Sequence, residues 1–233
     1  MFDSTVFFDT VRASLFGGKL SQQQVDGMNF KLGEWKRLYM GYDPRWLSYP
    51  LATSYHETAQ KMWPIEEYGK GSGKPYGQPD PTTGKAYYGR GDVQLTWADN
   101  YKKATAKLGL TGGNDLYWNP EKALDPQISA DVMYLGMQEG WFRTGQMLSR
   151  YFNATVDDAF NAREIINGDK NVVPSWSNGV KIGTLVKGYH DKFLAALYAA
   201  WTPDPEPPEP EPDTKVVRVY VPPGVTVKVI EEE

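Results

Sequence analysis

Apolar residues recur at helical spacing through most of this chain, and at strand spacing only near its end. Phe7, Val11 and Leu15 share one face of a segment over residues 4–16, which Gly17-Gly18 stops. Ser21 with Gln24 three residues on is the signature of a reciprocal helix cap, and the helix it opens carries Val25, Met28 and Leu32 inward. After Asp43-Pro44, Trp46, Leu47, Leu51 and Tyr55 repeat at the same period. Pro50 falls inside that run, so the helix either begins there or is kinked; in both cases Glu57 lies near its C-terminal end. Residues 68–85 are rich in Gly, Pro, Lys and Thr without apolar periodicity and predict a long loop, and residues 87–97 predict a small hairpin around two glycines. A helix over 99–108 ends at Gly109. Asn119-Pro120 and Asp125-Pro126 read as helix entries, the second leading to a face of Ile128, Val132, Leu135 and Met137. Phe160, Ile165 and Ile166 follow and are closed by Asn167-Gly168. A last helix over about 179–201 turns Ile182, Leu185, Val186, Tyr189, Phe193 and Leu197 inward. The body, 1–201, thus reads as mainly α with a minor β element.

Residues 202–213 alternate proline with acid, the composition of a semi-rigid extended spacer of roughly 35 Å at about 3.1 Å per residue. Residues 214–233 hold two runs of alternating valines about Pro222-Pro223-Gly224 and read as a β-hairpin tail. A lone hairpin is marginal in water, so this one is expected to pair with a partner, with the body, or with a second copy in self-association.

The chain has no cysteine, which excludes a disulfide scaffold, thiol catalysis and thiolate metal sites. Of the net charge of −4, the tail from Thr202 onward holds eight acids against three bases, leaving the body near neutral and without the basic field of a nucleic-acid binder. The apolar cluster Val6-Phe7-Phe8 is flanked by Asp3, Asp9 and Arg12, too short for a signal peptide or a membrane span. Synthesis in the cytoplasm is therefore expected, with any action outside needing another export route.

Three motifs invite chemistry. His56-Glu57 suggests a zinc helix, but Gln60 stands where such a motif needs its second histidine, and the only other histidine is His190; no metal is expected. The run from Gly69 to Lys74 resembles a phosphate loop, but Tyr68 stands where its first glycine is required and Pro75 follows the lysine, so no nucleotide cofactor is expected either. The third is a pair of separated carboxylates, Glu57 with Glu66 or Glu67, in a setting rich in Trp and Tyr. Glycoside hydrolysis needs one carboxyl to protonate the leaving oxygen and another to activate water or attack. Spacing alone leaves the alternative of ordinary surface glutamates open.

The combination goes further. His56-Glu57-Thr58, Pro64-Ile65-Glu66-Glu67-Tyr68-Gly69, the block from Tyr88-Gly89-Arg90-Gly91-Asp92 through Gln94-Leu95-Thr96-Trp97 to Asn100-Tyr101, and Ile165-Ile166-Asn167-Gly168 together resemble the glycoside hydrolase family 19 chitinases. The nearer likeness is to compact phage and prophage endolysins of the same lysozyme-like fold, and it spans about residues 7–201. The resemblance implies a helical bundle around a cleft, with Glu57 as general acid and the substrate an amino-sugar polymer, peptidoglycan or chitin. It implies substrate-binding roles for His56, Tyr88, Arg90, Gln94, Thr96, Asn100 and Asn167, with Thr96 and Asn100 holding the attacking water. Larger family members carry their base in a longer insertion, so only the compact ones license Glu66 or Glu67; their Pro-Ile-x-Glu-Tyr-Gly pattern lands on Glu67. Where the family has an arginine near the start of its last helix this chain offers Lys181, which is assigned no role. The implied reaction is a single displacement with inversion, requiring carboxyls roughly 6.5–9.5 Å apart. The expected function is an endolysin cleaving β-1,4 bonds of peptidoglycan after release to the wall; the alternatives are a chitinase and an inactive wall-binding protein of the same fold.

Overall fold

Helix ends in the computed structural model, which describes residues 2–38 and 43–201, fall where local side-chain chemistry puts them. The Asp3 carboxylate accepts from the Thr5 and Val6 amides to open α1 (Ser4–Ser14). The reciprocal cap forms as the sequence predicts: Gln24 N donates to Ser21 Oγ (3.2 Å) and Ser21 N to Gln24 Oε1 (2.9 Å), opening α2 (Gln22–Leu38). Helix α3 (Arg45–Glu57) runs through Pro50 and does not begin there, and Glu57 is its last residue. Gly109 and Gly140, both left-handed, end α4 (Ala98–Leu108) and α5 (Pro126–Glu139), and Asp125 caps α5. A single turn, α6 (Leu148–Tyr151), precedes the long α7 (Ile182–Ala200).

Helix α7 packs on α1 and α3, and α5 packs on α2, α3 and α4. Phe7, Val11, Leu51, Val186, Phe193 and Leu197 are fully or almost fully buried where the first set meets, each contributing about 1.5–3 kcal/mol relative to exposure. Helix α5 is enclosed on nearly every side, burying Ser129, Met133 and Tyr134 in addition to the predicted Ile128, Val132 and Met137, whereas Leu135 is only half-buried. His190, facing the core from α7, donates or accepts at Nδ1 with Ser48 Oγ (2.9 Å), and burial pushes its pKa down to about 4.

Three local expectations change. The buried face of α2 is Gly27, Met28, Lys31, Glu34 and Trp35, with Val25 and Leu32 only half-buried, because this face closes on the turn after α3 and Lys31 finds partners there. The strand pair forms between β1 (Ile65–Glu66) and β2 (Arg90–Gly91), antiparallel, with Ile65 opposite Gly91 and Glu66 opposite Arg90. Within 87–97 the only strand contact is the single bridge Arg90–Leu95. Residues 156–166 yield a short 3₁₀ turn, Asn161–Ile165. The linker and hairpin over 202–233 lie outside the described residues. Among the described residues no helix is long and apolar enough to cross a membrane.

Gly27 is where α2 touches that turn: a Cβ there would stand 2.0 Å from the Met62 carbonyl oxygen. The obstacle is backbone and cannot swing aside. Gly27→Ala is therefore expected to lose about 1–3 kcal/mol, more than the ~1 kcal/mol it gains in helix propensity. The midpoint of urea unfolding reads this directly.

Candidate active site

The chain reverses sharply after Glu57. Ala59, Gln60 and Met62 all take positive φ (48°, 67° and 55°), a conformation that costs non-glycine residues energy and persists only where neighbours enforce it. Thr58 Oγ1 donates to Ser54 O (2.6 Å) and accepts from Met62 N (3.1 Å); Gln24 Nε2 donates to Gln60 O (3.0 Å) and Lys31 Nζ to Met62 O (2.7 Å). Lys31, 1% exposed, also pairs with Asp92 Oδ1 at 2.8 Å. Asp92 further accepts from Ser54 Oγ (2.8 Å) and Ser129 Oγ (2.7 Å). One buried carboxylate thus joins α2, α3 and α5 behind the reversal that follows Glu57.

In front lies a groove of about 350 Å³, lined by Glu57, Glu67, Gln94, Thr96, Asn100 and Asn167 together with Tyr76, Trp97, Phe142 and Ile166 among others. Six of the residues named from sequence meet here. Glu57 Oε1 accepts from Arg163 Nη1 at 2.5 Å. Arg163, 3% exposed, forks onto Asp169 through Nε (2.7 Å) and Nη2 (3.0 Å). Burial opposes its charge, but Glu57 and Asp169 outweigh that and raise its pKa. Glu67, across the groove, accepts from Gly89 N (3.1 Å) and Tyr76 Oη (3.3 Å), which fix its orientation.

Much of the polar wall's donor capacity is committed. Thr96 Oγ1 donates to Gln94 O (2.8 Å), Asn100 Nδ2 gives one of its two hydrogens to Thr96 O (2.8 Å), and Gln94 Nε2 donates to Ile65 O and Gly91 O (3.1 Å each). Thr96 Oγ1 and Asn100 Oδ1 are acceptors suited to a water's hydrogen, and Asn100 keeps a second N–H. Gln94 also clamps β1 to β2. Asn167 donates from Nδ2 to Asp169 Oδ2 (3.2 Å).

Four of the named residues do not line the groove. Glu66 is turned away by strand alternation. It accepts from Tyr88 Oη (2.7 Å), pairs with Lys70 (3.2 Å) and lies 3.6 Å from Arg90 Nε. The Tyr88 hydrogen bond, assisted by Lys70 and Arg90 against burial, holds its carboxyl below the usual range. Arg90 is buried behind the wall, stacked 3.7 Å from the centre of the Tyr88 ring and donating to Ala86 O (3.1 Å) and Tyr101 Oη (3.1 Å). Tyr88 spends its hydroxyl on Glu66 and its carbonyl on Tyr101. His56 sits beside Tyr189 and Trp176, where burial lowers its pKa. Among the described residues no cluster of three His, Cys, Asp or Glu side chains could hold a metal.

Sequence reading passed over Arg163. Its one local signal is a charge set within Ala162-Arg163-Glu164-Ile165-Ile166, where the helix-face pattern expects apolar residues.

The described residues form a mainly helical body with a small strand pair beside a groove that holds two carboxylates. Among solved structures, chitinase C from Streptomyces griseus HUT6037 superposes with a TM-score of 0.55 at 22% identity, covering 87% of this chain and 95% of that one. A bacterial family 19 chitinase aligns at 20% identity over 84% of this chain with a TM-score of 0.45, too loose a superposition to weigh. Chitinase 4 of Oryza sativa subsp. japonica is 31% identical over 106 residues, 44% of this chain but only 28% of the rice protein's length. No family model matches the chain. The fold is that of chitinase C, and the chain is chitinase-like in that fold and in part of its sequence.

Proposed function

We propose that the chain is an inverting glycoside hydrolase that cleaves β-1,4 bonds between amino sugars of bacterial peptidoglycan, acting on the wall after release from the cell that makes it. The observation that carries this reading is the meeting of Glu57 and Glu67 in one groove whose polar wall presents acceptors. In the proposed reaction Glu57, steadied by Arg163, gives its proton to the glycosidic oxygen as the bond breaks. A water with one hydrogen accepted by Thr96 or Asn100 gives the other to Glu67 while its oxygen attacks the anomeric carbon from the far face. The names of the similar proteins favour a second reading, hydrolysis of chitin by the same machinery.

Mass spectrometry of the fragments released from purified peptidoglycan tests the proposal, because the new reducing end identifies the bond. Release of none, with chitin oligomers digested, would leave the second reading. The placement of the two neighbouring glutamates makes a further expectation: Glu67→Gln lowers turnover by about 10²–10³-fold, whereas Glu66→Gln lowers it less than about tenfold, having lost only contacts to Lys70, Tyr88 and Arg90. Equal losses would remove the distinction drawn from their geometry.

A further inference from the structure

Next to the groove residues Phe142 and Asn167, Arg143 and Gly168 are in contact. Arg143 follows Phe142 in the chain, and its guanidinium packs over Gly168, where a Cβ would lie 3.2 Å from Nη1 and 3.4 Å from Nη2. Phe142, Ile166 and Asn167 all line the groove, so Arg143 stands at its rim. Nη1 pairs with Glu164 Oε2 and approaches Glu164 O at 3.5 Å. Nη2 and Nε have no partner among these contacts, and the side chain is 40% exposed.

Glu164 does not neutralise this place. Its other oxygen pairs with Lys170 Nζ at 3.2 Å, and Lys170 in turn donates to the neutral Asn161 Oδ1 at 2.7 Å. Two cations share one carboxylate, so the triad of Arg143, Glu164 and Lys170 keeps a net positive charge. Against burial, hydrogen bonds from Lys170 and Arg143 keep the Glu164 carboxyl below its usual range, which maintains the bridge. The groove rim therefore offers a positioned guanidinium with one edge open, the geometry that recognises a carboxylate with two parallel hydrogen bonds.

We infer that Arg143 is a specificity-determining residue that binds a carboxylate carried on the sugar polymer beside the scissile region. Strands of N-acetylglucosamine alone are neutral and offer it nothing. Strands bearing lactyl ethers present a carboxylate, directly or at the end of an attached peptide. This rests on the hydrolase reading above and sharpens it, selecting the acidic glycan over chitin.

The test measures binding by calorimetry in the Glu57→Gln background, so that it does not depend on turnover. The ligands are the N-acetylglucosamine hexamer and amidase-stripped peptidoglycan strands, whose lactyl carboxylates are free. Adding Arg143→Gln is expected to weaken binding of the stripped strands about tenfold and of the hexamer less than twofold; Arg143→Lys should fall between, keeping the charge without the fork. The tenfold difference should shrink on raising salt from 50 mM to 500 mM, since the site is open to solvent. Equal weakening on both ligands would show that Arg143 acts only by bracing Glu164, and would overturn the inference. So would an unchanged affinity for the stripped strands, or no binding of them by the parent protein. Cleavage of the same two substrates by the unmodified chain decides the hydrolase reading separately: digestion of neither ends that reading, while the calorimetry still decides what Arg143 binds.

Discussion

Asp92→Asn is expected to destabilise the folded protein by about 3–5 kcal/mol, the range for stranding one member of a buried ion pair. The substitution keeps the shape of the side chain but leaves the Lys31 ammonium, 1% exposed, without a compensating charge. Met62 O remains as an acceptor at 2.7 Å and cannot neutralise it. The damage is placed where it reaches the groove: the same carboxylate receives Ser54 Oγ, from the last turn of α3, and Ser129 Oγ, from α5. The strained residues Ala59, Gln60 and Met62, immediately after Glu57, depend on this neighbourhood to stay in place. Activity should therefore fall further than the loss of folded protein explains. Chemical unfolding of the variant gives the stability, and kcat measured well below its melting temperature separates the two effects. Adding Lys31→Met should recover a large part of the lost stability, because the stranded cation, and not the lost hydrogen bonds, is the main cost. A single variant as stable as the parent would show that water reaches the pair and that its burial does not matter.

Glu57→Gln is expected to lower hydrolysis by about 10²–10⁴-fold while leaving the thermal midpoint close to that of the parent. The amide oxygen can still accept from Arg163 Nη1, and Asp169 still holds the other edge of that guanidinium, so the buried arginine keeps an anion. What disappears is the transferable proton. Full activity in this variant would end the assignment of Glu57, and with it the reading of the groove as a glycosidase site.

The groove was legible in outline. Glu57 ends a helix whose apolar period can be counted from Trp46. The resemblance of short motifs to a known family added Gln94, Thr96, Asn100 and Asn167, which no spacing argument reaches. Membership of a motif did not by itself put a side chain in the groove. Arg90 and Tyr88 belong to the motif block yet sit behind the wall, stacked on each other and bonded to Glu66, and His56 faces a cluster of rings. A motif records that residues occur together, not which of them touch the ligand.

Helix caps depend on residues three or four apart, and there the chain alone was sufficient: Ser21 with Gln24, Asp125 and Gly109 mark their helix ends in sequence and do so in space. It also placed the long loop and the helical class. Charge pairing across the fold was beyond it. Arg163 meets Glu57 from 106 residues away, and Lys31 meets Asp92 across a helix, a turn and a loop. The partner of β2 was equally hidden, because two-residue strands carry too few side chains to specify a register. The register in turn points Glu67 into the groove and Glu66 out of it. Adjacent side chains of an extended chain face opposite sides, so which of the two glutamates lines the groove follows from the pairing of β1 with β2, which only the assembled fold supplies.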